Sequence, residues 1–217
     1  GWKSMDTILA AEKLALALQA GGQLKEAEEV LDRCLDACKG LLPPENIQNA
    51  VIMLYIAKGK LANTDQLIKT DVSKAMSDLD KAKDLLYSSI RVARNIIEQR
   101  AEAKGKKGNT RNAGRDAQAA TLTLLQTLDA LASLEITKLK FLGAKEYSSA
   151  EAESAIQQCI SYYKLTAYDS ALLKAEYLSC LRRISNLTTC GVTMNVGLTE
   201  KELNEEIRRV ENEVSKS

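Results

Sequence analysis

The 217-residue chain contains no histidine. That absence removes the commonest general base, the Ser-His-Asp and Cys-His nucleophile arrangements, and every zinc site that uses an imidazole. Proline occurs only at the adjacent positions Pro43 and Pro44, so the whole of the chain beyond them runs without the strongest helix breaker. Such a run is hard to reconcile with many short strands and turns. Aromatic residues are 4% of the chain, with one Phe and one Trp, and the 45% apolar content is built mainly from Ala, Leu, Ile and Val. Side chains of that size let helices approach closely.

Neither sign of charge dominates. Thirty basic residues against 29 acidic ones leave a formal charge of +1, which supplies no whole-molecule field to draw nucleic acid or an anionic membrane. No apolar run reaches the ~18 residues of a membrane span, and no basic-then-apolar leader opens the chain. The expectation is a soluble, intracellular, all-α protein with no membrane partner, placed in the cytoplasm with the nucleus as the alternative. The opening GWKSM reads as a vector-derived remnant over residues 1–5, ahead of a native Met5 and a single helical domain over 6–217. Trp2 then lies outside the fold. The cysteines, Cys34, Cys38, Cys159, Cys180 and Cys190, are odd in number and mostly inside helical patterns, which suits free thiols in a reducing compartment. The Asn186-Leu187-Thr188 glycosylation pattern is then a chance match.

Apolar residues recur at spacings of three and four through most of the chain, and eight helices fit. The first runs from Asp6, as N-cap, to Ala20, with Ile8, Ala11, Leu14, Ala15 and Leu18 inward and Gly21-Gly22 as its stop. The second covers Leu24 to Lys39, the third Pro44 to about Ala62, and the fourth Asp71 to Ala103 with Val72, Ala75, Leu79 and Ala82 on one side. A fifth, Asp116 to Leu142, is apolar nearly all round from Leu122 to Leu139 and belongs in the middle of the fold. Ser148 with Glu151, Asp169, and Thr199 with Glu202 supply the caps of the last three. Leu203, Ile207, Val210 and Val214 form a narrow stripe on the final helix, suited to one neighbour.

Between the fourth and fifth helices, KGKKGNTRNAGR holds three glycines and the cations Lys104, Lys106, Lys107, Arg111 and Arg115. This reads as a flexible basic loop, solvated or in contact with an acidic protein or phosphates. No aromatic residue interleaves the cations, so base stacking is absent from that reading. The order of residues in GKKGNTR does not match a phosphate-binding loop.

GQLKEAEEVLDRC has a counterpart in AYDSALLKAEYL, where Ala171 takes the place of Ala27. Ala15 and Leu18 precede Ala27 by the same intervals at which Cys159 and Tyr162 precede Ala171, so a small residue on each first helix would face one on the second. In these positions the chain resembles the tetratricopeptide repeat, a helix-turn-helix unit. The likeness covers helices one and two, six and seven, and loosely three and four through Ala75, Leu79 and Ala82, while most of the family's aromatic and proline positions are missing. The resemblance implies a right-handed array of antiparallel helix pairs whose inner surface binds a segment of another protein. An irregular helical bundle is the other arrangement the helices allow.

Chemistry-bearing residues give no catalytic, metal or cofactor assignment. Cys34 and Cys38, one turn apart, could be half a thiolate site but read as two small core residues. Glu28 with Glu29, and Glu205 with Glu206, read as solvated faces with neighbouring cations. The expectation is a non-enzymatic adaptor whose partner protein meets Lys138, Lys140, Tyr162, Lys164, Lys174, Tyr177, Arg182 and Arg183. Two alternatives stand beside it: a structural subunit of an oligomer or larger complex, joined through the fifth and last helices, and a nucleic-acid binder using residues 104–115.

Overall fold

The three-and-four spacing is realised as eight α-helices, with no strand among the described residues. The structure is a computed structural model describing the backbone of residues 1–103 and 110–217, and side chains other than those of 103–113. The helices are α1 (Met5–Ala20), α2 (Leu24–Leu41), α3 (Ile47–Thr70), α4 (Val72–Ala103), α5 (Thr110–Leu142), α6 (Ala150–Leu165), α7 (Ala171–Thr189) and α8 (Glu200–Ser215). None is long and apolar enough, among the described residues, to cross a membrane.

Several ends differ from expectation for local reasons. Ser4, not Asp6, caps α1 by accepting the Thr7 amide. Asn46 caps α3 through Oδ1 to the Gln48 amide at 2.9 Å, two residues beyond the proline pair, whose carbonyls accept from Asn49 Nδ2. That helix runs on past Ala62 because nothing breaks it, and buried Thr64 returns its hydroxyl to Lys60 O at 2.9 Å. In α5 the helix begins at Thr110, so the second half of the expected loop is helical, and Asp116 pairs with Arg100 at 3.0 Å. The α6 and α7 caps fall at Ser149 and Ser170, each one residue later than expected. Thr199 does cap α8, accepting the Glu202 amide at 3.2 Å.

The chain divides into two compact units, residues 1–123 and 124–217. In the first, α1 and α2 are antiparallel about the Gly21-Gly22 turn, where Gly22 takes φ 80°. Cys34 Sγ donates to Ile8 O at 3.8 Å, and continuing that antiparallel register brings fully buried Ala27 level with fully buried Ala15. The α1–α3 relation is parallel: Gln48 Nε2 donates to Glu12 Oε2 and Gln19 Nε2 to Tyr55 O, both across 36 residues. Gly59 makes room for this, since a Cβ there would lie 2.9 Å from Gln19 Nε2. Contact between α3 and α4 is the most extensive in the unit, with Ser89 Oγ donating to Ala50 O at 2.9 Å.

Its core gathers Ile8, Leu31, Cys34, Cys38, Ile52 and Ile56. Trp2 packs against this cluster with the Arg33 guanidinium 4.6 Å over its ring, so Trp2 belongs to the fold, contrary to the reading that left it out. Leu14 and Val72, expected inward, are 53% and 44% exposed, because each lies to one side of the face its helix buries.

In the second unit, the α5 residues Leu124, Leu125, Leu128, Leu131, Leu134, Ile136 and Leu139 are buried, as are the polar residues Thr127, Glu135 and Lys138. The α6–α7 hairpin is antiparallel. Its interface carries a Cys159–Cys180 disulfide and then a Tyr163–Tyr177 stack, one turn along each helix. This corrects the expectation that all five cysteines are free, because antiparallel packing sets positions 159 and 180 at one level, and only Cys34, Cys38 and Cys190 remain thiols. It also corrects the Ala27–Ala171 correspondence, since Ala171 is the exposed first residue of α7 and Cys159 faces Cys180 instead. Helix α8 packs on α7 through Leu203 and Val210.

Candidate functional site

Tyr163 and Tyr177 place apolar rings two residues before the end of α6 and six residues after the start of α7. Their rings stack with centroids 4.1 Å apart and planes 9° from parallel. A buried phenol needs a partner, and the Tyr177 hydroxyl donates to Glu206 Oε1 at 3.0 Å. Arg209, one turn further along α8, grips the same carboxylate with Nη2 to Oε1 at 2.6 Å and Nε to Oε2 at 3.0 Å. Its Nη1 reaches Glu213 Oε1 at 2.5 Å. Lys174 closes the chain of contacts, to Asp169 at 2.8 Å and Glu213 at 3.5 Å.

The electrostatics follow from those partners. Hydrogen bonding to Arg209 outweighs desolvation and holds the Glu206 carboxyl below its usual range. Burial, reinforced by the Glu206 charge, drives the Tyr177 phenol well above its ordinary value, so it stays a neutral donor. Burial raises Tyr163 as well.

Above this network lies a groove of about 510 Å³. Buried Tyr177 and the partly buried Glu206 carboxylate form its floor, and Lys164 at the end of α6, Leu198, Glu202, Glu205 and the exposed Arg209 complete its lining. The connector between α7 and α8, turning at Gly197 with φ 74°, presents Leu198 at 36% exposure. Its fixed floor and solvent-facing walls can hold an extended or helical guest segment.

The residues named from sequence differ in how the fold uses them. Lys174 is paired as above, Arg182 with Glu211 at 2.7 Å, and Arg183 with Asp129 at 3.0 and 3.4 Å, where Ser179 Oγ adds a third bond at 2.8 Å. Lys138 is 7% exposed, its ammonium 5.8 Å from the Tyr147 ring centroid, and the Tyr147 hydroxyl donates to Glu135 Oε2 at 2.6 Å. Tyr162 is half-buried, and Lys140 and Lys164 are exposed. The groove brings together two of the eight, Lys164 and Tyr177. Lys104, Lys106, Lys107 and the Arg111 side chain lie outside the described residues, and Arg115 is exposed on α5.

Leu198, Glu202, Glu205, Glu206 and Arg209 were not picked out from sequence, where Glu205 and Glu206 read as a solvated face. A signal was present in the Glu206, Arg209, Glu213 spacing of three and four, which sets an arginine between two carboxylates on one helix face. Elsewhere, burial pushes the Cys34 thiol up to about 11 and raises Cys38 too, so both are neutral core thiols. No His, Cys, Asp and Glu grouping among the described residues could hold a metal ion. The first unit has a groove of about 450 Å³ between α2, α3 and α4, lined by equal numbers of acidic and basic residues, with Glu28 and Lys60 paired at 2.7 Å.

Compared with known protein families, curated proteins and solved structures, the chain has no match.

Proposed function

We propose that the protein is a non-enzymatic adaptor that receives a segment of a partner protein on the groove formed by α6, α7 and α8. The observation that carries this reading is a floor already locked, by the tyrosine stack and the Tyr177–Glu206–Arg209 bonds, beneath walls that face solvent. Such a surface meets a guest without first being ordered, which removes part of the cost of binding. A tetratricopeptide-like repeat is the finer form of the scaffold. The two α1–α3 hydrogen bonds support it, each spanning 36 residues, close to the ~34-residue step of that repeat.

A second reading, a subunit that buries surface in an assembly, is favoured by Leu165 and Leu172, which flank the α6–α7 turn at 82% and 63% exposure. A phage-displayed peptide library panned on the immobilised full chain tests the adaptor reading. Peptides competed off by soluble wild type and not by Leu198→Asp support it. An absence of such peptides, with a dimer or larger particle by light scattering, transfers the case to the assembly subunit.

A further inference from the structure

We infer that the segment accepted by this groove is basic: a short peptide with Lys or Arg side chains set around an aliphatic residue. The inference rests on the adaptor reading and adds the chemistry of the guest. Glu206 and Arg209 satisfy one another, and Arg209 also holds Glu213, so the floor offers no free charge. In the rest of the lining, Glu202 and Glu205 are exposed and hold no ion pair among the described residues, while Lys164 is the one lining cation that Glu206 and Glu213 do not already engage in an ion pair. The two carboxylates lie three residues apart on one face of α8, close enough for one guanidinium or ammonium to relieve their repulsion.

Helix α8 as a whole carries six acidic and three basic residues. Its first-turn acids, Glu200 and Glu202, are accounted for by the positive end of the helix, but Glu205 lies a turn beyond that influence. Leu198, which lines the groove with the two carboxylates, gives the guest its apolar contact. Beyond the Glu206–Arg209 pair, an acidic segment, or a nucleic-acid backbone, would find one lysine against two carboxylates.

Fluorescence anisotropy with two labelled synthetic peptides of about 15 residues tests this, one alternating Leu with Lys and Arg, the other with Glu replacing every base. The basic peptide is expected to bind at least about tenfold more tightly in low salt, and to weaken as salt rises. In the Glu202→Gln/Glu205→Gln double variant its affinity should fall about three- to tenfold, as two exposed ion pairs of ordinary strength give. Lys164→Gln should move it the other way. Both sites are exposed, so folding should survive, which circular dichroism verifies. Preference for the acidic peptide, or an unchanged affinity in the double variant, overturns the assignment. Library peptides that are competed off as above, yet are acidic or uncharged, overturn the charge assignment and leave the adaptor reading standing. A library with no Leu198-sensitive binder removes the adaptor reading itself.

Discussion

Ala27 has no exposed surface, and neither does Ala15 opposite, so the contact between α1 and α2 is set by the absence of bulk. Ala27→Leu should cost about 1–3 kcal/mol by overpacking, read as a lower urea midpoint. Ala171→Leu, at an exposed helix start, should stay within about 0.5 kcal/mol of wild type. That contrast marks what was legible at this scale. Ala27 followed from the Gly21-Gly22 turn and the regular stripe after it. The Ala171 counterpart failed because a spacing says nothing about where a helix begins, and α7 starts at that very residue. The Cys34 thiol, held up to about 11 mainly by burial, contributes stability below its ordinary value of 9.0 that is lost as pH rises through 9 toward 11. Urea unfolding at pH 8 and pH 10.5 should show a smaller alkaline loss in Cys34→Ala than in wild type. An equal loss in both would place the alkaline sensitivity elsewhere.

At the scale of the element, the α6–α7 hairpin is where the structure departed most from expectation. An odd cysteine count suggests free thiols, but which cysteines meet depends on the register of two helices, and register is set by packing that composition does not encode. With Cys159 bonded to Cys180, thiol titration in denaturant without reductant should count three groups, and two more after reduction. Five before reduction would contradict the pairing. The Cys159→Ser/Cys180→Ser variant should lose about 3 kcal/mol on chain-entropy grounds for a 21-residue separation. The stacked tyrosines are the next layer of the same interface, so the loss should also loosen the groove floor. Glu206, held low chiefly by Arg209, stabilises the fold above its ordinary pKa, and that contribution disappears as pH falls through its folded value. Wild type and Glu206→Gln should therefore converge in stability at acid pH and differ near neutrality.

For the whole molecule, the scarcity of proline and aromatics and the three-and-four spacing made the all-helical class and eight helices readable. The groove was not, because its walls come from α6, α8 and the connector before α8, segments far apart in the chain whose meeting depends on tertiary packing. Basic residues looked like the natural contacts in sequence, whereas Lys174, Arg182 and Arg183 are engaged with Asp169, Glu213, Glu211 and Asp129. The adaptor reading predicts a monomer of 23.7 kDa by light scattering, and a multiple of that mass would favour the assembly subunit. The most direct measurement is hydrogen exchange of the full chain with and without the basic Leu-Lys-Arg peptide. Protection confined to residues 160–180 and 196–210 is the result predicted, and unchanged exchange there, or protection confined to the first unit, would contradict it.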